Sequence, residues 1–168
     1  MKIRIIAIGK IKETYLKMGI DEYLKRLKPY VNMEIVEVND EPVNDNPSPS
    51  EIEIVKNKEG EKVLKLLKTG DYVINLDLNK KQFTSEQFAE LINEKMVVGS
   101  SLITFIIGGS YGLSDALKER ANMAISLSNM TFLHQMTRLI LLEQIYRAYK
   151  INRNETYHKW IITKNLNI

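Results

Sequence analysis

The sequence predicts an α/β fold, with a mainly parallel sheet and helices on both of its faces. Apolar, β-branched runs recur along the 168 residues, and stretches with helical spacing separate them. One of these runs, residues 102–107, is apolar except for Thr104, which is typical of a central strand covered on both faces. The length suits a chain that closes one hydrophobic core, so we expect a single domain over residues 1–168.

The first part of the chain predicts two strands around a helix. Residues 3–8 form an apolar run that ends at Gly9 without a cleavage site, which indicates a strand rather than a signal peptide. Residues 13–27 carry apolar side chains near helical spacing, and Pro29 stops that helix. The alternation over residues 33–38 predicts a strand at the edge of the sheet.

The remaining elements continue the alternation. Residues 39–50 contain three prolines and no periodicity, which predicts an exposed loop, and Ser48-Pro49-Ser50-Glu51 predicts a capping box. The elements expected after it are a helix to about residue 68, a strand over 72–78, a helix capped at Thr84 that ends near Gly99, the strand 102–107, a short helix capped by Ser114, a further strand over 124–127 and a long helix over 134–149.

The long helix carries apolar side chains in nearly every direction of a helical wheel. Such a helix has to be buried on several sides, so we predict a homodimer with this helix at or beside the interface. Glu143 and Arg147 lie four residues apart on one face, opposite His134 and Arg138. The pair Glu143 and Arg147 is either a helix-stabilising ion pair or a buried pair kept for function.

Composition excludes several kinds of chemistry. The chain has no cysteine and only two histidines, which excludes disulfides, a cysteine nucleophile and a thiolate or histidine-rich metal site. We therefore expect no metal. No apolar run approaches the length of a membrane span, so we also expect a cytoplasmic protein without a membrane partner.

Charge is distributed unevenly around the net value of +3. Residues 34–61 are strongly acidic and would repel phosphate. From Arg147 onward, five basic residues stand against the single acid Glu155, with aromatic residues between them. Cations beside flat rings suit RNA, because they neutralise phosphates while the rings stack on bases. The alternative is a solvated basic tail.

Three segments are candidates for a site. Gly108-Gly109 follows the apolar run 102–107, at the sheet edge where α/β proteins bind ligands, and is either a ligand loop or a tight turn. It lacks the glycine patterns of dinucleotide and triphosphate loops. Residues 127–134 offer main-chain hydrogen bonds and little charge, which suits an adenine ring, although His134 alone is more typical of a helix start or a core. Tyr157-His158 is an unremarkable tail on composition alone.

The order of these motifs carries a resemblance. Gly108-Gly109-Ser110-Tyr111-Gly112-Leu113, residues 127–138, residues 143–149 and Tyr157-His158-Lys159 follow one another along the chain. In that order they resemble the ribosomal RNA large subunit methyltransferase H family, which belongs to the SPOUT superfamily of knotted methyltransferases. The similarity runs from Met1 through Lys159, so residues 160–168 form an extension beyond the usual family end.

The resemblance implies a homodimer whose C-terminal part forms a trefoil knot and binds S-adenosylmethionine, without a metal. The implied substrate is the 23S rRNA of the assembled ribosome, which is methylated at N3 of a pseudouridine. The residues expected to bind the cofactor are Leu76, Gly108, Gly109, Leu127, Ser128, Asn129, Met130, Thr131 and Phe132.

Catalytic residues follow from similarity and position. They are Glu143, Arg147, Tyr157 and His158, with His134 and Arg138 nearby. We expect Arg147 and Arg138 to face developing negative charge and RNA phosphate. His158 would take the proton or orient the base, Tyr157 would stack on the base or hydrogen-bond to it, and Glu143 would hold Arg147. Each site is expected to borrow the tail from the partner subunit. The alternative function is a non-catalytic RNA or ribosome-binding module that retains the fold.

Overall fold

A computed structural model describes residues 2–99 and 102–159, so the extension at 160–168 lies outside the described residues. In the described part, strands and helices alternate as the sequence predicts. The elements are β1 (Lys2–Ile8), α1 (Thr14–Leu27), β2 (Asn32–Val38), α2 (Pro49–Leu64), β3 (Tyr72–Gln82), α3 (Ser85–Val97), β4 (Leu102–Ile107), α4 (Asp115–Arg120), β5 (Met123–Ser126) and α5 (His134–Asn152).

The five described strands form one sheet in the order β2-β1-β4-β3-β5, and every pairing is parallel. The predicted positions of β2 at an edge and β4 at the centre are confirmed. Residues 103–107 of β4 are buried because helices cover both faces of the sheet. Since all strands run the same way, their carboxyl ends meet at one edge of the sheet.

Helices pack on both faces of the sheet, as predicted. The larger core lies under α1, α3 and α5 and includes Ile3, Phe105 and Leu142. The smaller core lies on the other face and includes Ile106 of β4 and Leu117 of α4. Alternate side chains of β4 point into the two cores, because successive residues of a strand face opposite sides.

Local capping fixes where α2 and α3 begin. The Ser48 hydroxyl accepts a hydrogen bond from the Glu51 backbone, and the Glu51 carboxylate accepts one from the Ser48 backbone at 2.7 Å. Thr84 and Gln87 form the same reciprocal pair at the start of α3. Such caps stabilise a helix by about 1 kcal/mol each. The predicted capping box at Ser48 and the predicted cap at Thr84 are confirmed.

Helix α5 packs against α1 and α3 of its own chain. Leu141, Leu142 and Ile145 are fully buried there, so one protomer already covers much of the apolar circumference. A second subunit is therefore not needed to bury these side chains, contrary to the reasoning from the helical wheel. The homodimer itself stays a prediction. Over residues 2–99 and 102–159, no helix is long and apolar enough to cross a membrane.

Candidate functional site

A cavity of about 760 Å³ opens at the edge of the sheet where the pairing of β3 with β4 ends. Its volume lies in the range of small-molecule sites. The strands bring Leu76 and Ile107 to it, and α5 contributes its first turn. The residues around the cavity are Lys56, Leu76, Asp77, Leu78, Ile107, Gly108, Gly109, Ser110, Tyr111, Gly112, Leu113, Lys118, Ser126, Leu127, Ser128, Met130, Thr131, Phe132, Leu133, His134 and Thr137.

The glycine turn after β4 forms one wall of the cavity. Gly109 and Gly112 form an isolated antiparallel bridge, and the Gly112 backbone donates to the Gly109 carbonyl at 3.1 Å. A Cβ atom on Gly108 would lie 2.9 Å from the carbonyl carbon of Gly112, and Gly112 itself has a φ of +85°. The sequence left open whether this segment is a ligand loop or a tight turn. In the structure it is a tight turn that also forms part of the cavity wall.

The loop between β5 and α5 forms the facing wall. The Ser126 hydroxyl donates to the Ser128 carbonyl at 2.8 Å, and the Ser128 hydroxyl accepts from the Met130 backbone at 3.0 Å. These bonds hold the loop in an irregular path that presents main chain to the cavity. Of the predicted cofactor residues, Asn129 alone is not among those that line the cavity. Its side-chain oxygen accepts a hydrogen bond from Gln82 of β3.

Charged side chains at the cavity were not predicted as site residues. Asp77 follows the last residue of β3 that pairs with β4, and its carboxylate accepts from the Leu78 backbone at 2.9 Å. Lys118 of α4 is exposed at the cavity, whereas Lys56 of α2 forms an ion pair at 2.6 Å with Glu53. The two lysines reach the cavity from α2 and α4, which pack on the face of the sheet that carries the smaller core. Residue patterns along the chain do not show this placement.

His134 begins α5 and lines the cavity. Its imidazole packs on the backbone of Gly9, where a Cβ atom would lie 3.4 Å from Nε2. Burial, followed by the charge of Arg138, lowers the pKa of His134 from its ordinary value. The imidazole therefore stays uncharged at neutral pH.

Arg138 lies one turn further along α5 and is fully buried. Its guanidinium forms an ion pair with Glu37 of β2 at 2.6 Å and donates to the backbone carbonyls of Ile8 and Gly9, at 3.4 and 2.5 Å. It thus fastens α5 to the carboxyl ends of β1 and β2. Because the Arg138 side chain is fully buried, the protomer gives no support to its expected contact with RNA phosphate. In the protomer the side chain connects α5 to β1 and β2.

The other four predicted catalytic residues come together beside the C-terminal half of α5, and we call them the C-terminal cluster: Glu143, Arg147, Tyr157 and His158. Arg147 forms an ion pair with Glu143, and its guanidinium carbon lies 4.8 Å from the centre of the Tyr157 ring. The Tyr157 hydroxyl donates to Glu143 at 3.1 Å and lies 3.1 Å from the hydroxyl of Tyr23 in α1. The expectation that Glu143 holds Arg147 agrees with this geometry.

Glu86 of α3 joins the C-terminal cluster, and the sequence analysis did not single it out. Its carboxylate lies 3.0 Å from Nε2 of His158. Hydrogen bonds from its own backbone N–H, from His158 and from Thr84 lower the pKa of Glu86 to about 2. The only local signal was its position in the first turn of a capped helix, where a carboxylate is common for reasons of stability alone.

The cavity and the C-terminal cluster are far apart in one protomer. None of Glu143, Arg147, Tyr157 and His158 is among the described residues that line the cavity. His134 and Arg147 are thirteen residues apart on one helix, which corresponds to about 20 Å at 1.5 Å per residue. The structure therefore brings most of the predicted cofactor residues together with His134 at the start of α5, and it brings the four residues of the C-terminal cluster together beside the C-terminal half of that helix.

The fold and the cavity define an α/β protein that binds a small molecule at the carboxyl ends of its parallel strands, beside a glycine turn. In the described part of the chain, no group of three histidine, aspartate or glutamate side chains is placed to hold a metal ion.

Comparison with known proteins identifies the family. Residues 1–158 match the family described as predicted SPOUT methyltransferase, and the chain belongs to it. It is 55% identical to a ribosomal RNA large subunit methyltransferase H of Carboxydothermus hydrogenoformans, over 95% of this chain and all of that protein. It is 54% identical to the protein of the same name from Clostridioides difficile, with the same coverage.

A solved structure shares the fold. It is that of a probable methylase family protein from Haemophilus influenzae, with a TM-score of 0.50 and 14% identity over 94% of this chain and 69% of that one.

Proposed function

We propose that this protein transfers a methyl group from S-adenosylmethionine to N3 of a pseudouridine in the 23S rRNA of the assembled ribosome. The relatives named for the large-subunit RNA support the class of substrate, and membership of the SPOUT family supports the reaction. The observation that carries the proposal is the cavity, which is lined by every predicted cofactor residue except Asn129. A ribosomal substrate places the activity in the cytoplasm.

The cavity suits S-adenosylmethionine in shape and in charge. Leu76, Ile107 and Phe132 supply apolar surface for an adenine ring, and the main chain of the two loops supplies hydrogen-bonding groups. The exposed ammonium of Lys118 can face the carboxylate of the cofactor. His134 carries no charge at neutral pH, so it does not repel a sulfonium. When bound, the cofactor supplies an electrophilic methyl group.

The remaining task for the protein is to position the acceptor and to take up a proton. N3 of the base is an imide nitrogen that carries its proton near neutral pH, and this proton has to leave. A general base typically contributes about 10² to 10⁴-fold to such a step. In the C-terminal cluster, His158 can take the proton, Arg147 can face the developing negative charge, and Tyr157 offers a ring and a hydroxyl to the base.

The separation of the cavity from the C-terminal cluster supports a homodimer. In one protomer the methyl donor would lie beside the first turn of α5, whereas the C-terminal cluster lies beside the second half of that helix, so we propose that each cavity is completed by the C-terminal cluster of the second subunit. Exposed apolar side chains at the cavity fit such an interface: Leu78, Met130 and Leu133 are 48%, 72% and 52% exposed. Residues 1–168 would form one domain, with the C-terminal part tied in a trefoil knot.

The proposed function is tested with labelled S-adenosylmethionine and ribosomes from a strain that lacks this modification. We expect label in the large-subunit RNA, at N3 of one pseudouridine after mapping of the product. Labelling of another nucleotide would refute the proposed specificity. Calorimetry with S-adenosylmethionine separates an enzyme from a non-catalytic RNA-binding module, because the module would show no binding heat.

Mixed dimers test the shared site. Gly108→Ala weakens cofactor binding and His158→Ala removes the base from the C-terminal cluster, so each variant alone should have little activity when S-adenosylmethionine is kept near the wild-type Kd. After subunit exchange, half of the dimers are mixed and each contains one intact site, so about a quarter of wild-type activity should return. Failure to regain activity, with dimer exchange verified by mass, would show that each subunit uses its own cluster.

A further inference from the structure

The imidazole of His158 lies between a cation and an anion of its own chain. Its Nδ1 lies 3.1 Å from a terminal nitrogen of Arg147, and its Nε2 lies 3.0 Å from a carboxylate oxygen of Glu86. The side chain of His158 is only 9% exposed, whereas that of Glu86 is 45% exposed. Two elements thus hold the ring: α5 through Arg147 and α3 through Glu86.

These contacts define which ring nitrogen carries the proton. A guanidinium only donates hydrogen bonds, so Nδ1 of His158 has to accept from Arg147 with its lone pair. An ionised carboxylate only accepts, so Nε2 has to donate its proton to Glu86. The neutral ring with the proton on Nε2 satisfies both partners, whereas the opposite tautomer satisfies neither.

Glu86 is well suited to remain charged in this role. It lies in the first turn of α3, and hydrogen bonds from its own backbone N–H, from His158 and from the Thr84 hydroxyl lower the pKa of its carboxyl group to about 2. The charged or titratable groups around the His158 ring are Arg147 and Glu143 from α5, Glu86 from α3 and the neighbouring Tyr157.

We propose that Glu86 is a positioning residue that fixes the His158 ring so that Nδ1 is the atom that takes the N3 proton of the base. This role rests on the proposed function. Arg147 covers Nδ1 in the protomer, so it has to turn away, toward the negative charge of the RNA, before the proton can be transferred. Glu86 and His158 belong to one chain, so a subunit presents them together to the cavity of the second subunit.

The step balances without any further reactant. The electron pair of the N3–H bond becomes the new bond between nitrogen and the methyl carbon, and the pair of the breaking carbon–sulfur bond stays on sulfur. The proton moves to Nδ1 of His158. The ring then carries a positive charge and a proton on each nitrogen, with Nε2–H still directed at the Glu86 carboxylate, which compensates that charge.

Nuclear magnetic resonance of the full-length protein tests the geometry separately from activity. The chain contains two histidines, so His134→Gln leaves His158 as the single ring to observe. With nitrogen-15 labelling at neutral pH, we expect a bare Nδ1 and a protonated Nε2 whose proton is visible because its bond to Glu86 slows exchange with water. Glu86→Ala should abolish that proton signal, and Glu86→Gln should weaken it. A proton on Nδ1, or an unchanged signal in Glu86→Ala, would overturn the proposal.

Kinetics on ribosomes test the functional consequence, in a chain that keeps His134. Glu86→Ala should lower kcat at least about tenfold, a fraction of the 10² to 10⁴-fold that a general base contributes. KM for ribosomes and Kd for S-adenosylmethionine should change less than twofold, because Glu86 lies outside the cavity. Glu90→Gln is the matched control, since Glu90 is exposed one turn further along α3.

The kinetic outcomes distinguish the two proposals. An unchanged kcat in Glu86→Ala, with active wild type, would overturn the role of Glu86. Absence of methylation by the wild type would instead refute the proposed function, whatever the resonance spectra show.

Discussion

Replacing Gly108 by alanine tests whether the glycine turn shapes the cavity. The added Cβ atom would lie 2.9 Å from the carbonyl carbon of Gly112, 3.0 Å from its oxygen and 3.2 Å from its Cα. Carbon atoms in contact normally keep about 3.5 to 4.0 Å. The neighbouring atoms are backbone, so they cannot rotate away as the end of a side chain can.

The size of the effect follows from this overlap. Forcing one extra carbon into a packed site typically costs about 1 to 3 kcal/mol. If the turn relieves the overlap by opening, the cavity wall moves, and the same energy appears as weaker binding of S-adenosylmethionine. A cost of about 1 to 3 kcal/mol corresponds to a Kd raised by about 5 to 150-fold.

Two measurements on Gly108→Ala separate these effects. Calorimetry with S-adenosylmethionine measures the loss of cofactor affinity, and urea unfolding measures the loss of stability. Gly70→Ala is the matched control, because a Cβ atom there meets nothing within 4 Å and Gly70 lies before β3, at the opposite end of the sheet. The control should bind like the wild type. A Kd for Gly108→Ala within twofold of the wild type, with unchanged stability, would refute the reasoning from the turn.

Three further variants test the charged groups. Arg138→Ala should lower the free energy of unfolding by about 3 kcal/mol, because it leaves Glu37 and two carbonyls without their buried partner, and urea unfolding measures the loss. Glu59→Gln should unfold at higher urea than the wild type at pH 7, since burial raises the pKa of Glu59. The protonated carboxyl of Glu59 favours the folded state fully below the ordinary pKa of glutamate, and this contribution is lost as pH rises through the raised pKa of the folded state. The higher stability of Glu59→Gln over the wild type should therefore vanish in acid. Glu86→Gln should be less stable than the wild type at pH 7. That difference should disappear as pH falls from 4.5 toward 2, through the lowered pKa of Glu86, when unfolding is followed by circular dichroism.

Local signals predicted the elements because their physical causes are local. The capping boxes at Ser48 and Thr84 depend on residues three positions apart, and both are present. The apolar run of β4 predicted a central strand, since a strand covered on both faces carries apolar side chains on both sides, and its single polar side chain, Thr104, is buried as well. A ligand loop at Gly108 was one of two alternatives, and it rested on a second rule, which places ligands at the carboxyl ends of parallel strands.

Contacts between distant residues account for what the sequence did not show. Arg138 was grouped with the catalytic residues because it shares a helix face with His134, but its partner Glu37 lies 101 residues away in the chain. Glu86 has an ordinary local role as a first-turn carboxylate, and only the fold brings His158 to it across 72 residues. The apolar circumference of α5 likewise reflects packing against α1 and α3.

The division of α5 between two tasks has a consequence for protein synthesis. Every described residue that lines the cavity has been translated once the ribosome has passed Thr137, whereas Tyr157 and His158 are added twenty residues later. A nascent chain released in between would lack both side chains proposed to handle the base. Premature termination would thus yield an inert product rather than one that modifies RNA wrongly.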